Sequence, residues 1–192
     1  MEHFLDIVNV DTIRESISHF QAKKTPGPDG FKPVLLLHLP PNVLGVWCVI
    51  YGSCLYLQYT PSLWKECMVI FLPKPGKSTY SHPSSYRPIS LSSYLLKTLE
   101  RLCSWHVEQC VRLRPIHPHQ HGFRCDKSTE TAASALMDYV ERHVYTRLHC
   151  LAAFLDIRSA FDSVTPHHIQ RSLRRVGADL GVVGWYDDYL PH

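Results

Sequence analysis

The stretch LAAFLDIRSAFDSV, residues 151–164, decides how the rest of the chain is interpreted. Its first seven residues are apolar apart from one carboxylate, Asp156, which is typical of a buried strand with a charged group near its end. Ligands of α/β folds bind at the carboxyl ends of strands, and a buried carboxylate there requires a cation or another partner. Taken alone, the stretch favours a plainer structure, in which a strand ends at Asp156 and Asp162 caps the following turn.

Helical and extended segments alternate along the rest of the chain, so the expected fold class is α/β or α+β. Apolar residues at helical spacing, together with proline and glycine breaks, define these segments. The predicted strands cover residues 67–72 and 151–157, an extended segment begins at Arg87, and TPGPDG (residues 25–30) forms a structured turn. The predicted helices are one capped by Asp11, two over residues 33–39 and 42–57, one from Ser92 or Ser93 with Leu95, Leu99, Leu102 and His106 on one face, one capped by Ser128 with Ala132, Ala135, Leu136, Tyr139 and Val140 on one face, one from Thr165 to Gly177, and one from about Gly181.

Length and composition favour one globular domain. Of the 192 residues, 45% are hydrophobic and 19% are charged, which excludes a disordered chain. The longest apolar stretch, residues 43–57, has 15 residues, whereas a membrane-spanning helix needs about 20, so we predict a buried helix and no membrane contact. No secretory signal is expected, and seven cysteines without a CxxC pair indicate core thiols in a reducing compartment.

The positive charge of the chain is concentrated in its middle. Residues 65–127 contain ten Lys or Arg against four Asp or Glu, a local charge of +6, and the remainder of the chain then carries −3 of the total +3. Such a segment is typical of a surface that binds nucleic acid or nucleotide phosphates, but a solvated charged face has the same composition.

Five blocks of sequence resemble reverse transcriptases of non-LTR retrotransposons, of the LINE or jockey type. FLDIRSAFDSV resembles the first metal-binding motif of these enzymes, and the other blocks resemble the segments that precede it. The blocks follow the family's order and extend over most of residues 23–190. They are KKTPGPDGF (23–31), FLPKPGKS (71–78), SYRPISLSSYLLKTLERL (85–102), QHGFRCDKSTETA (120–132) and FLDIRSAFDSV (154–164).

The resemblance implies template-directed DNA synthesis on an RNA template from a DNA primer, with dNTP as substrate and two Mg²⁺ ions as cofactors. Asp156 would be the first carboxylate ligand of both ions, and the backbone carbonyl of Ile157 a further metal ligand. Phe161 would be the steric gate that crowds a ribose 2′-hydroxyl. For Asp162 we expect a structural role, as a cap of the turn before Thr165.

Basic and loop residues would bind the substrates. Arg87 would grip the incoming triphosphate, because a guanidinium fork matches phosphate oxygens. Lys74, with Lys77 as the alternative, would add positive charge from the tip of the finger hairpin, although without the resemblance an exposed turn is the favoured explanation for these lysines. Residues placed along the nucleic acid by the resemblance are Lys23, Lys24, Gln120, Gly122 and Phe123.

The resemblance also implies a right-hand polymerase architecture. Residues 1–22 would form a helical lead-in, 23–150 the fingers and 151–192 the start of a truncated palm. A chain that ends before the second carboxylate motif is not expected to polymerise DNA by itself. We expect nuclear action and no stable protein partner. The alternatives are a non-catalytic RNA- or DNA-binding remnant of such an element and a viral RNA-templated RNA polymerase.

Two groups of residues look catalytic or metal-binding but are not assigned such roles. Tyr186, Asp187 and Asp188 look like the YxDD box, yet their surroundings predict a helix, and only 31 residues (187 − 156) separate Asp187 from Asp156. We therefore expect both aspartates to face solvent. The second group is made of cysteines and histidines near the middle of the chain, namely Cys110, His117, His119, His121 and Cys125. It lacks the closely paired cysteines of structural zinc sites, so no zinc site is predicted there.

Overall fold

The computed structural model describes residues 4, 6–113, 116–157, 160 and 163–190. The chain forms two compact units. The first unit is made of Met1–Cys110 and Thr165–His192, and the second of Val111–Val164. None of the helices in the described ranges is long and apolar enough to span a membrane.

Eight α-helices, one antiparallel hairpin and a short 3-10 helix at Pro83–Ser85, between the two strands, are found among the described residues. The predicted strand at residues 67–72 is confirmed and is one residue longer, and the predicted helix over residues 33–39 is shorter. The elements are α1 (Val10–Ser18), α2 (Pro33–Leu37), α3 (Pro41–Leu57), α4 (Ser62–Lys65), β1 (Cys67–Pro73), β2 (Tyr86–Ser92), α5 (Tyr94–Arg112), α6 (Thr129–Tyr145), α7 (Pro166–Val176) and α8 (Leu180–Tyr189).

The core of the first unit forms around α5. Leu95, Leu99 and Leu102 lie on one face of this helix, as their spacing predicts, and all three are buried. They belong to one apolar cluster with side chains from α1, α3 and α8. Residues spaced three and four apart on a helix share a face, so α5 can bury one continuous stripe.

The first helix begins earlier than predicted. Asn9, and not Asp11, is the cap, because the Asn9 side chain accepts hydrogen bonds from the backbone N–H groups of Asp11 and Thr12. The Thr12 hydroxyl in turn accepts from the backbone N–H of Asn9, which completes a capping box. Asp11 lies in the first turn, where a carboxylate still interacts favourably with the helix dipole.

The turn at residues 25–30 packs against the junction of β2 and α5. A Cβ atom on Gly27 would lie 2.7 Å from backbone atoms of Ser92 and Ser93, so only glycine fits there. The Ser93 hydroxyl donates to the Asp29 carboxylate and accepts from the backbone N–H of Leu95 at 3.1 Å, which caps α5. The turn therefore fixes the point at which β2 ends and α5 begins.

Helices α3 and α8 approach closely because α8 carries glycines at the contact. A Cβ on Gly181 would lie 2.8 Å from the carbonyl oxygen of Leu55, and a Cβ on Gly184 would lie 2.2 Å from the Gln58 side chain. Trp185, on the same helix, is fully buried in the main core. The close approach to α3 therefore packs α8 against the main apolar cluster of the first unit.

The strands β1 and β2 pair only with each other among the described residues. Cys67 lies opposite Ser92, and Leu72 lies opposite Arg87. Both faces of β1 are exposed. A two-stranded sheet with open faces has marginal stability by itself, so the hairpin depends on its connection to α4 and α5.

The second unit confirms one sequence prediction and corrects another. Ser128 caps α6, with its hydroxyl accepting from the backbone N–H of Thr131 at 3.2 Å. The apolar face predicted for this helix is not buried, since α6 has no buried residue. Amphipathic spacing shows which face can be covered, whereas burial also requires an apolar partner.

The segment predicted as a buried strand, residues 151–157, is neither a strand nor buried. Leu151, Phe154 and Leu155 are 97%, 84% and 94% exposed. A strand needs a neighbouring strand to satisfy its backbone groups, and the sheet found among the described residues consists of β1 and β2, so residues 151–157 pair with neither. The fold of the described residues is therefore mixed helix with a small sheet, as in an α+β protein, and does not include the sheet predicted at Asp156.

Candidate functional site

Arg87 lies on an exposed strand of the hairpin, one pair from its loop end. Its position in β2 is opposite Leu72, and the last pair before the loop is Pro73 with Tyr86. Because side chains alternate along a strand, Arg87 shares a face with Ile89. The guanidinium is exposed and can offer its planar set of N–H donors to phosphate oxygens.

Lys74 closes the loop that follows β1. Its ammonium group donates to the carbonyl oxygen of Ser84 at 2.9 Å, and its own carbonyl accepts from the Tyr80 hydroxyl at 2.9 Å. An ammonium has further N–H donors beyond the one used here, so a second, anionic partner is compatible with this contact. Lys77 lies in the same loop and is exposed.

Asp156 and Ile157 lie in the exposed segment of the second unit, and Ile157 is 73% exposed. No cluster of three or more His, Cys, Asp or Glu side chains that could hold a metal occurs within the described ranges. The described residues therefore supply one carboxylate of suitable chemistry for Mg²⁺ but not a complete set of ligands. Arg87 belongs to the first unit and Asp156 to the second, and the predicted positions Phe161 and Asp162 lie outside the described residues.

The loop between α5 and α6 is held by its own polar contacts. The Gln120 side chain donates to the carbonyl of Gly122 at 3.4 Å, and the Arg124 guanidinium donates to the carbonyls of His117 and Gln120. Phe123 adopts a positive φ of 57° and is 96% exposed. The loop thus presents an aromatic ring to solvent beside cationic side chains.

Lys23 and Lys24 lie just before the turn at residues 25–30. Both side chains are exposed. The backbone N–H of Lys24 donates to the carbonyl of Gln21 at 3.1 Å, which turns the chain after α1. The two cations are available to an anionic ligand.

The structure confirms that residues 186–188 lie on a helix, α8, and not on a turn between strands. The prediction that both aspartates face solvent is wrong for Asp188. Its carboxylate accepts from the backbone N–H of Thr60 at 2.6 Å and lies 3.0 Å from the Lys65 ammonium. Burial alone would raise the pKa of Asp188, but the hydrogen bonds from Lys65 and Thr60 outweigh it and hold the pKa below its usual range.

Sequence reasoning missed this contact because its partners lie more than a hundred residues apart. Thr60 is separated from Asp188 by 128 residues and Lys65 by 123. A neighbouring contact on α8 was missed for the same reason, namely the hydrogen bond of 2.5 Å from the Tyr189 hydroxyl to Glu100. Nothing in the local sequence distinguishes Asp188 from Asp187.

Comparison with known proteins identifies the family. The family model described as "Reverse transcriptase (RNA-dependent DNA polymerase)" matches residues 72–190. A probable RNA-directed DNA polymerase from transposon BS of Drosophila melanogaster is 36% identical over 158 residues, which cover 82% of this chain and 17% of that protein. The polymerase from mobile element jockey of the same species is 31% identical over 161 residues, with 83% of this chain and 18% of that protein covered.

A more distant relative extends the match along the chain. The Pol polyprotein from the type-2 retrotransposable element R2DM of Drosophila melanogaster is 28% identical over 188 residues, with 96% of this chain covered. The chain spans about 17% of the length of this relative and of the BS polymerase. These matches favour an RNA-directed DNA polymerase over the viral RNA polymerase that the first carboxylate motif also allows. The chain belongs to the reverse transcriptase family and corresponds to part of a retrotransposon RNA-directed DNA polymerase.

Proposed function

We propose that this chain forms the fingers and the beginning of the palm of a right-hand RNA-directed DNA polymerase. Residues 1–22 are then a helical lead-in, 23–150 the fingers and 151–192 the first part of the palm. The order of the sequence blocks and the family match over residues 72–190 support this assignment. The parent enzyme would copy an RNA template from a DNA primer, in the nucleus.

Within this assignment, Arg87 binds the triphosphate of the incoming dNTP. The observation that carries the proposal is that the Arg87 guanidinium is exposed on β2. The C-terminal end of this strand is fixed by the hydrogen bond from Ser93 to Asp29. A cation held on a strand presents its donors in a defined direction, which suits a phosphate group. Lys74 or Lys77 adds charge from the adjoining loop.

Asp156 is the metal-binding carboxylate of the proposal, with the Ile157 carbonyl as a second ligand and Phe161 as the gate against ribose. Two-metal phosphoryl transfer needs several carboxylates that converge on one point. The described residues contribute Asp156 alone to such a set. The described residues by themselves therefore offer contacts for substrates without a complete set of metal ligands for nucleotidyl transfer.

The nucleic acid would contact the loop at residues 117–127 and the lysines before the turn at residues 25–30. Phe123 is exposed and supported by a loop with internal hydrogen bonds, so its ring can stack on an unpaired base. Gln120 and Gly122 shape that loop. Lys23 and Lys24 would contact template phosphates.

The proposal is tested by substrate binding and primer extension. The purified chain is mixed with a fluorescent RNA–DNA hybrid, and dATP binding to the complex is measured with wild type, Arg87→Gln and Arg87→Lys. We expect Arg87→Gln to weaken dATP binding about tenfold or more, as expected for the loss of a charge-assisted contact of roughly 1.5–3 kcal/mol. Arg87→Lys should recover part of the affinity.

The matched control is Arg14→Gln, which removes an exposed arginine on α1 that pairs with Asp11. Equal dATP affinity of Arg87→Gln and Arg14→Gln would refute the role of Arg87. Primer extension with Mg²⁺ should show no added nucleotide. Extension by the chain alone would show that its own residues complete the active site.

A further inference from the structure

Helix α7 has a basic face that none of the proposed substrate contacts uses. The helix, PHHIQRSLRRV, contains three arginines and two histidines and no acidic residue. It lies outside the basic segment at residues 65–127, so counting charge along the sequence did not single it out. We name as the basic face of α7 the exposed residues His167, His168, Arg171, Arg174 and Arg175.

The opposite side of α7 is anchored in the protein. Leu173 is buried in a small apolar cluster with Ala178 and Val183, and Ile169 and Val176 pack against it. Successive residues of an α-helix are rotated by about 100°, which places these apolar residues on one side and the basic face on the other.

The end of α7 is fixed as well. Gly177 ends the helix in the left-handed conformation, with a φ of 82°. The backbone N–H of Ala178 then donates to the carbonyl of Leu173 at 3.0 Å. The basic face is thus held in one orientation by its core contacts and by its C-terminal cap.

Helix stability alone does not explain this charge distribution. Arg174 and Arg175 lie in the last turn, where cations interact favourably with the helix dipole. Arg171 lies in the middle of the helix, where the dipole does not stabilise a cation. Arg171 and Arg174 are also three residues apart, a spacing at which like charges repel. Neither forms an ion pair within the described part of the chain, so the repulsion is not offset there.

We propose that the basic face of α7 binds the phosphate backbone of a nucleic-acid strand, as a contact separate from the triphosphate and template residues above. Arg171 and Arg174 are about 4.5 Å apart along the helix axis and share the basic face, so both can contact a strand that carries one charge at each nucleotide. Guanidinium groups bind phosphate oxygens through two parallel hydrogen bonds. A membrane is a poorer partner, because the apolar side of α7 is already buried and cannot enter a bilayer.

The experiment measures binding of a fluorescent 20-nucleotide single-stranded RNA to the full chain by anisotropy, without dNTP, between 50 and 300 mM KCl. The test variant is Arg171→Gln/Arg174→Gln. The matched control is Arg14→Gln/Arg142→Gln, which removes the same charge from exposed positions on α1 and α6. Each phosphate contact on a single strand contributes a slope of about −0.7 to log affinity against log salt.

We expect the test variant to lose about 1.4 units of this slope and roughly tenfold in affinity at 100 mM salt, whereas the control stays close to wild type. Arg171→Lys/Arg174→Lys should keep the slope, since the charge is retained. Equal effects in test and control variants, or no RNA binding by wild type, would overturn the proposal. Equal competition by polyglutamate at the same charge concentration would also overturn it, because any polyanion would then suffice.

A second measurement does not depend on variants. Modification of the wild-type chain with phenylglyoxal, followed by peptide mass analysis, should show protection of Arg171 and Arg174 by RNA and none of Arg14. Unprotected Arg171 and Arg174 at saturating RNA would refute the contact. The RNA-binding assay contains no dNTP, so a failure of the triphosphate proposal would leave this outcome unaffected.

Discussion

Replacement of Asp188 by alanine should lower the melting temperature of the protein by about 4–12 °C. The carboxylate accepts a hydrogen bond of 2.6 Å from the backbone N–H of Thr60, a residue with 0% exposure. Without an acceptor this buried donor costs about 2–3 kcal/mol. For a protein of this size each kcal/mol corresponds to roughly 2–4 °C.

The ion pair with Lys65 contributes less. The side chains of Lys65 and Asp188 are 36% and 29% exposed, so solvent screens the charges, and the pair contributes about 0–1 kcal/mol. Asp188→Asn keeps an oxygen that can accept from Thr60 but loses the charge. It should therefore lie between wild type and Asp188→Ala in stability.

The effect of Asp188 should depend on pH in a defined direction. Its pKa is held below the ordinary value of 3.8, since the hydrogen bonds from Lys65 and Thr60 outweigh the opposing effect of burial. A carboxyl group with a lowered pKa stabilises the fold above its unfolded pKa, and this stability is lost as the pH falls through the folded value. The difference between wild type and Asp188→Asn should be constant above about pH 5 and shrink below 3.8.

Thermal melts followed by circular dichroism at pH 7, with urea titrations at pH 7, 5, 4 and 3, measure these quantities. Asp187→Ala is the matched control, because the neighbouring Asp187 is on the same helix and accepts none of the side-chain hydrogen bonds found among the described residues. The free energy of unfolding of Asp187→Ala should differ from that of the wild type by less than about 0.5 kcal/mol. If Asp188→Ala melted within 1 °C of Asp187→Ala, the contact with Thr60 would not stabilise the fold.

Three further predictions follow from close contacts, exposure and burial in the structure. Gly27→Ala should destabilise the protein by about 1–3 kcal/mol in urea titrations, because the added Cβ would lie 2.7 Å from backbone atoms. The control Gly45→Ala, which adds a Cβ in open space within α3, should stabilise the protein by up to about 1 kcal/mol. Equal changes in stability for the two variants would exclude the close contact at Gly27. Leu155→Gln should raise the concentration at which light scattering detects aggregation, since Leu155 is 94% exposed, and an unchanged onset would show that this segment does not self-associate. Burial raises the pKa of the Cys103 thiol, so Cys103 should react with a disulfide reagent far more slowly than exposed Cys125, and equal rates at pH 8 would contradict its burial.

Elements with local signals could be predicted from the sequence. Ser128 caps α6, and α7 runs from the Thr165 cap to Gly177 as its proline and glycine indicate. Caps, turns and helical periodicity depend on groups within a few residues, so the necessary information is present in a short stretch. The strand at residues 67–73 was predictable for the same reason.

The candidate site was predictable as chemistry and not as geometry. The types and order of the sequence blocks identified the family, which the comparisons confirm. The roles of Arg87 and Asp156 stay predictions, because Arg87 belongs to the first compact unit and Asp156 to the second. The prediction of a buried strand at residues 151–157 was wrong, because an apolar sequence does not show whether a neighbouring strand is present to pair with it.

The sequence by itself determined the reverse transcriptase family, most helix boundaries and the apolar face of α5. Tertiary structure alone decided that Asp188 is a structural acceptor, that only glycine fits at residue 27, and that Arg171 and Arg174 lie together on the exposed side of α7. The reason is the range of the interactions involved. Local backbone hydrogen bonds depend on neighbours in the sequence, whereas burial, close packing and charge pairing depend on residues that only folding brings together.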